Sequence, residues 1–299
     1  MCMGGPARAS AADRLGAFLR DARLMPIRGT TRLAGVIGWP VKHSRSPLLH
    51  NHWCAHYAID GAYVPLAVRP DDLGTALKGL CAAGFAGVNL TIPHKEAALS
   101  LMDRMDRSAE RAGAVNTVVF AADGETVGLC SDGTGFVANL DAHGVSPKGR
   151  VLVLGAGGAA RAVVAALLDR GCEVTITNRT AARAIELREA LDAHDTLPWD
   201  AWPEALGDFD LLVNTTSLGM DGHGNAVFDL GQASSGLSVA DIVYVPRQTP
   251  LLAAAEARGL RGVNGLGMLA HQAVIGFEAW FGVRPDVDAA TMALLDADL

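Results

Sequence analysis

Short apolar runs alternate with longer segments of mixed polarity along most of this chain. Leu33 to Ile37, Tyr63 to Val68 and Gly87 to Ile92 are runs of strand length. Pro47 to Tyr57 and Asp71 to Ala83 lie between them and have the length and spacing of helices. Such alternation predicts right-handed βαβ crossovers and a mostly parallel sheet. Asn116 to Phe120 and Thr126 to Leu129 flank Asp123-Gly124, a pair that favours a hairpin turn. Gly133 to His143 reads as a connecting helix. Beyond it, the four apolar residues Val151 to Leu154 read as a strand buried on both faces. Further strands are expected at Leu211 to Asn214 and Val239 to Val245, and a long helix from about Gly267 to Phe281 closes the pattern. The expected architecture is α/β with two lobes and a cleft between them. A first domain over residues 31–130 is completed by 265–299, and a second, dinucleotide-binding domain spans 131–264.

The chain has 299 residues, room for two domains of ordinary size. Half of them are hydrophobic, but no apolar run reaches the roughly 18 to 20 residues needed to cross a bilayer. A net charge of −7 argues against a nucleic-acid partner. Five scattered cysteines read as reduced thiols of a cytoplasmic protein, not a disulfide frame. The histidines and cysteines suggest no metal-ligand set, so no metal is expected. Residues 1–30 are rich in Ala and Arg and lack the continuous apolar core of a secretory signal. Leu15, Phe18 and Leu19 would share one apolar stripe if this segment were a short helix; the alternatives are a disordered extension or a chain that begins at Met25. This segment is an extension without an assigned role.

After the Val151–Leu154 run, Gly155, Gly157 and Ala160 fit G-x-G-x-x-A. Gly155 permits a tight turn, Gly157 lets backbone approach a pyrophosphate, and Ala160 allows close helix–strand packing. Ala156, Gly158 and Ala159 complete a loop entering a helix whose free N–H groups and dipole favour an anion. In the unit that binds NAD, an acid about 20 residues further on takes the ribose 2′-hydroxyl. Here the equivalent stretch is Thr177, Asn178, Arg179, Thr180. A guanidinium at that place suits a 2′-phosphate, so NADP is the expected cofactor. Arg183, four residues on, is either a second phosphate contact or a solvated surface residue.

Three predicted helix starts carry further chemistry. In Ser44-Arg45-Ser46-Pro47, Ser46 is expected as N-cap with Pro47 at the first helical position. Two hydroxyls beside free N–H groups would hold a carboxylate; the alternative is that Ser46 only caps its helix. In Val88 to Lys95, Pro93 is expected to open a helix with Lys95 in its first turn. A lysine there is electrostatically misplaced, which points to a functional amine unless it is merely solvated. In Ser131-Asp132-Gly133, Asp132 either caps the connecting helix or meets Lys95 in a pair able to hold and protonate a substrate hydroxyl. Asn89 and Asn116 either hydrogen-bond a polyol or satisfy loops.

Taken together, GWPVKHSRSPLLHN, GVNLTIPHK, GAVNT, SDGTGF, GAGGAARA, NRT, NTTSLGM, DIVYVPRQTPLL and NGLGMLAHQ resemble the shikimate dehydrogenase family over about Leu33 to Arg284. The resemblance implies reversible NADPH-dependent reduction of 3-dehydroshikimate to shikimate, a step toward aromatic amino acids. It also implies a two-lobed fold with the active site in the cleft. Ser44 and Ser46 would hold the substrate carboxylate, and Lys95 and Asp132 would form the catalytic pair. Asn89, Thr91, Asn116 and Gln272 would surround the ring hydroxyls, with Ser131 donating to the ring and Tyr244 bordering substrate and nicotinamide. Thr215, Thr216 and Ser217 would line the cofactor channel unless they only cap their loop, and Gly265 and Met268 would also face the cofactor. Met268 and Gln272, four apart, share one helix face.

One departure stands out: Cys130 occupies the place of an Asn that the family usually carries before its Thr-Asp. A thiol is a weak donor and a weak acceptor, so it does not replace an amide. This keeps open a paralogue acting on quinate or an amino analogue. A non-catalytic NADP-binding sensor and a folate-type dehydrogenase are further alternatives. The expected assembly is a monomer or homodimer.

Overall fold

The computed structural model describes residues 26–220 and 226–297. The predicted stripe of Leu15, Phe18 and Leu19, and Met25, lie outside the described residues.

The first sheet is built from β1 (Arg32–Gly38), β2 (Gly61–Ala67), β3 (Gly87–Leu90), β4 (Arg104–Met105), β5 (Thr117–Phe120) and β6 (Thr126–Leu129). Helices α1 (Ser46–His56), α2 (Leu73–Ala82) and α3 (Arg107–Ala112) connect them. The strand order is β2-β1-β3-β5-β6-β4. β1 lies parallel to β2 and β3, whereas β3 to β5 and β5 to β6 are antiparallel. The sheet is therefore mixed, because the 116–129 segment returns as a hairpin and a crossover is not required. Helix α4 (Asp132–Ala142) leads out of this sheet.

The second sheet contains β7 (Arg150–Leu154), β8 (Glu173–Thr177), β9 (Asp195–Leu197), β10 (Leu211–Asn214), β11 (Ser238–Asp241) and β12 (Arg261–Asn264). Helices α5 (Gly158–Asp169), α6 (Ala181–Leu191) and α7 (Pro250–Ala257) accompany it. Its ladders are all parallel, in the order β9-β8-β7-β10-β11-β12. This is the doubly wound dinucleotide-binding order, whose direction reverses between β7 and β10. Leu154 pairs with Thr177 on one side and Asn214 on the other. Gly155, Asn178 and Thr215 consequently leave the sheet side by side at the switch point, where ligands of such sheets bind.

Helix α8 (Leu266–Phe281), followed by α9 (Ala289–Asp296), joins the two lobes. Its Phe277 and Trp280 are fully buried against Trp53 and Tyr63 in the core of the first lobe. Each such side chain contributes roughly 1.5–3 kcal/mol by leaving water. At its other end, Met268 packs on the core formed by Phe136, Leu140, Val153 and Ile176. Gly135 makes this bridge possible, since a Cβ there would stand 2.6 Å from the Gln272 backbone nitrogen. A second tie joins α3 to α5, where Arg161 Nε donates to the Arg111 carbonyl at 3.0 Å.

Two predicted elements differ from those observed. No helix opens at Pro93; residues 91–96 form turns, and a 3₁₀ segment follows at Ala97–Leu101. The Lys95 carbonyl accepts from Val115 N–H at 2.8 Å, so it is not used in a helical ladder. The strand expected at Val239 to Val245 ends at Asp241. There the Asp241 carboxylate takes Val243 N–H at 3.0 Å and turns the chain away from the sheet.

Candidate active site

Lys95 and Asp132 come together although 37 residues separate them: Lys95 Nζ donates to Asp132 Oδ2 at 2.6 Å. The side chains keep 30% and 11% of their exposure, so the pair is open to a ligand on one side. Burial works against the ammonium, but the charge and hydrogen bond of Asp132 outweigh it and raise the Lys95 pKa above its ordinary value. Lys95 is therefore an ammonium at neutral pH. The helix-dipole argument for its being misplaced does not apply, because no helix starts there. Asp132 begins α4 but makes no capping hydrogen bond. Its second oxygen accepts from Asn116 Nδ2 at 2.8 Å, so both carboxylate oxygens are turned toward side chains of the first lobe.

Asn116 is the centre of the surrounding web. Its Nδ2 also lies 3.0 Å from both Ser131 Oγ and Gln272 Oε1, so its two hydrogens are shared among three acceptors. Its Oδ1 accepts from Thr117 Oγ1 at 2.9 Å and Ser131 N–H at 2.9 Å. Asn89 lies behind it on β3, donating to the Asn116 carbonyl at 3.0 Å and to Thr117 Oγ1 at 3.1 Å. Asn89 Oδ1 accepts from the Tyr63 hydroxyl at 2.6 Å. Both Asn side chains thus bond mainly to protein groups and brace Asp132.

The Ser46 cap expected from the sequence is absent. Ser46 is the first helical residue of α1, Arg45 precedes it without a side-chain cap, and Pro47 follows. The Ser46 hydroxyl instead lies near enough to Tyr63 to oppose the rise that burial gives the phenol pKa, and the Ser46 N–H approaches Ser44 Oγ at 3.4 Å. Tyr63, which the sequence reading did not single out, therefore links the serine pair to Asn89. It stacks on His50 with ring centroids 4.0 Å apart. His50 is completely buried, its pKa falls to about 3 through loss of water, and neither ring nitrogen has a partner among the described residues.

Thr91 follows β3 outside this web, with its N–H on the Ile37 carbonyl at 2.9 Å. Tyr244 lies beyond the end of β11, packs against the first lobe's core and feels the charge of Arg45. Burial raises its pKa, which Arg45 partly opposes. Cys130 is 3% exposed within an apolar cluster that includes Ile37, Leu90 and Val115. Its sulfur sits 3.9 Å from Asp132 Oδ2, beneath the pair.

On the cofactor side, Gly155 has φ +112°, and a Cβ would come within 2.6 Å of Thr215 Oγ1. Only glycine suits this place. Gly157 is exposed, with no atom within 4 Å of where a Cβ would be, and it precedes the free N–H groups of Gly158 and Ala159. Ala156 packs partly on the nucleotide-side core. Thr215 Oγ1 donates to the Leu154 carbonyl at 2.7 Å, and Thr216 Oγ1 donates to Asn214 at 2.7 Å, so both shape their loop. Ser217 is exposed. Asn178 donates to the Thr180 carbonyl at 3.0 Å. Arg179 and Arg183 are exposed beyond β8, and no carboxylate ends that strand. Open backbone N–H groups and these guanidiniums fit a dinucleotide with a 2′-phosphate. Gly265 passes against the Ile242 carbonyl at the start of α8. Glu96, also missed in the sequence, extends from the first lobe toward Gly158.

One spacing runs against the sequence expectation for metals. His52 and His56 stand four apart on α1 with ring centroids 6.1 Å apart. Among the described residues, however, no group of three or more His, Cys, Asp or Glu is placed to hold a metal.

Three family models match consecutive parts of the chain. They describe a shikimate dehydrogenase substrate binding domain (residues 36–118), shikimate/quinate 5-dehydrogenase (140–244) and a shikimate 5′-dehydrogenase C-terminal domain (265–295). The chain belongs to the shikimate dehydrogenase family. NADP(+)-dependent shikimate dehydrogenase of Gluconobacter oxydans is 60% identical to it, over 91% of this chain and 98% of that one. Among solved structures, shikimate 5-dehydrogenase of Thermus thermophilus in complex with NADP(H) and shikimate has a TM-score of 0.80 and 37% identity. The match covers 89% of this chain and 98% of the Thermus chain. Quinate dehydrogenase of Corynebacterium glutamicum in complex with NAD has a TM-score of 0.81 and 32% identity, with 90% and 99% covered. The shikimate dehydrogenase architecture of two sheets, one mixed and one all-parallel, is thus shared by relatives of differing substrate and cofactor.

Proposed function

We propose that this protein reduces 3-dehydroshikimate reversibly to shikimate with NADPH, using Lys95 and Asp132 as its catalytic pair. The observation that carries this reading is the 2.6 Å contact between Lys95 Nζ and Asp132 Oδ2, partly open and braced by Asn116. NADPH, when bound, supplies the hydride. As negative charge develops on the substrate oxygen, Lys95 Nζ stabilises it and releases a proton to it. Asp132 holds the ammonium and orients the substrate hydroxyl. Gln272, Ser131, Asn89, Asn116 and Thr91 frame the ring, and Ser44 and Ser46 receive its carboxylate at the start of α1. Tyr244 and Met268 border the nicotinamide region. Arg179, assisted by Arg183, receives the 2′-phosphate, while the loop from Gly155 to Ala159 receives the pyrophosphate and Thr215 to Ser217 and Gly265 line the channel.

In this reading residues 31–130 with 265–299 form the substrate domain and 131–264 the NADP domain. Burial of Cys130 beneath Asp132, among apolar side chains, favours shikimate over quinate, because the altered position lies behind the pair. The test is the rate of nicotinamide reduction with shikimate or quinate crossed with NADP or NAD. Fast turnover with shikimate and NADP is expected; turnover confined to quinate would overturn the reading.

A further inference from the structure

Asp241 is 1% exposed at the end of β11, and the chemistry above makes no use of it. Its carboxylate gathers donors from three segments. Asn214 Nδ2 at the end of β10 donates to Oδ1 at 2.9 Å, and Val243 N–H donates to the same oxygen at 3.0 Å. Thr249 Oγ1, just before α7, donates to Oδ2 at 2.6 Å. Each donor controls something further. Asn214 Oδ1 accepts from Thr216 N–H at 3.0 Å and from Thr216 Oγ1 at 2.7 Å, so the orientation of Asn214 shapes the loop from Thr215 to Ser217. Val243 immediately precedes Tyr244, which packs on the first lobe. Thr249 caps α7 by accepting from Leu252 N–H at 3.3 Å.

We propose that Asp241 is a positioning residue whose carboxylate locks the cofactor-side loop Thr215–Ser217 to the Tyr244 segment, so that the cofactor wall and the substrate wall keep one relative geometry. This rests on the roles proposed above for those two segments. An ionised carboxylate held by three donors keeps its orientation because no acceptor competes for it. Burial nevertheless pushes its pKa up to about 6, against the pull of those hydrogen bonds, and no charged neighbour contributes. The groups facing it, Asn214 from β10, Val243 from its own loop and Thr249 from the approach to α7, are all uncharged. Of the three donor groups, only Thr249 Oγ1 can also accept a hydrogen bond from the O–H of the neutral acid; an amide nitrogen cannot. Protonation therefore rewires the Thr249 end and removes the charge from the other two bonds.

The experiment compares the full-length protein with Asp241→Asn, which has the shape and charge of the protonated acid. Three quantities are measured from pH 5 to 9: the Kd for NADP, the KM for shikimate and kcat. At pH 8 the variant is expected to show Kd and KM raised by about tenfold with a smaller change in kcat, as charge-assisted hydrogen bonds are lost. The step near pH 6 in the wild-type constants is expected to disappear in the variant. A folded variant with a lowered Tm but unchanged constants and pH profile would reduce Asp241 to a structural residue and overturn the proposal. Should Asp241→Asn fail to fold, Thr249→Val removes a single donor and is expected to move the same two constants by a smaller factor. Unchanged constants in that variant would also overturn it. Failure of the wild-type protein to turn over shikimate would count against the functional reading alone, since the Kd for NADP still tests Asp241.

Discussion

The two lobes prepare for their ligands in opposite ways. On the substrate side, polar side chains are bonded to one another: Lys95 to Asp132, Asp132 to Asn116, Asn116 to Ser131 and Gln272. On the nucleotide side, the surface offered to the cofactor is open backbone around Gly157 together with exposed Arg179 and Arg183. Proton transfer needs reacting atoms held within a few tenths of an ångström, which a saturated web provides. A phosphate-rich cofactor is satisfied by free N–H groups and charge that tolerate small displacements. The contrast extends to buried ionisable groups. His50 in the first lobe is held neutral far below its ordinary pKa, whereas burial drives the Asp241 pKa in the second lobe upward.

The largest test of the contrast is Lys95→Ala. Removing the group that gives its proton to the substrate oxygen in reduction, and takes it back in oxidation, is expected to lower kcat for shikimate oxidation by about 10²- to 10⁴-fold while the Kd for NADP stays near the wild-type value. A fully active variant would take Lys95 out of the mechanism.

Acid separates the lobes next. Unfolding frees His50 to bind a proton below pH 6.5, whereas the folded state resists until about pH 3. Its contribution to stability is thus present above pH 6.5 and declines as pH falls, by about 2 kcal/mol at pH 5. Asp241 acts with the opposite sign. Its folded pKa of about 6 exceeds the ordinary 3.8, so its contribution is greatest below pH 3.8 and is lost as pH rises through 6. Urea titrations at pH 8 and pH 5 should show a smaller acid loss in His50→Phe than in the wild type. An identical loss in both would remove His50 from the account.

Arg179→Asp probes the open side of the comparison. It is expected to reduce the preference for NADP over NAD by about 10- to 100-fold, read from the two KM values, because a charged phosphate contact is replaced by repulsion. Preserved NADP preference would place phosphate recognition elsewhere. The smallest effect is expected for Cys130→Ala. Its weak S–H contact lies behind Asp132, so kcat/KM for shikimate should change by less than about threefold. A larger shift, or a gain in quinate turnover, would show that this position shapes the pocket.

Elements with strong local signals were legible from the chain. The apolar run Leu211–Asn214, the hairpin strand Thr126–Leu129 and the closing helix appear where their patterns predict them, to within a residue. Short or weakly patterned elements were missed, among them β4, β9, β12, α3, α7 and α9. For α3 a signal existed, since Asp106 caps it by accepting from Ala109 N–H at 2.9 Å. The errors at Pro93 and Val243 share one cause: a distant or side-chain group captured a hydrogen bond that local reasoning assigned to the helix or strand, whereas Ser46 lies one residue inside its helix, after Arg45 at the cap. Tyr63 and Asp241 escaped notice because their partners lie on other strands and loops.

Sequence alone determined the α/β class, the glycine loop, the absence of an acid after β8 and the residue types available for catalysis. Those follow from local backbone sterics, hydrophobic period and charge, which act over a few residues. The tertiary structure decided which of those residues meet. Asp132 became the partner of Lys95 instead of a helix cap, Ser46 fell inside its helix, and Cys130 was buried behind the pair. Each choice depends on competing hydrogen-bond partners and packing brought together from remote parts of the chain, and folding resolves that competition as a whole.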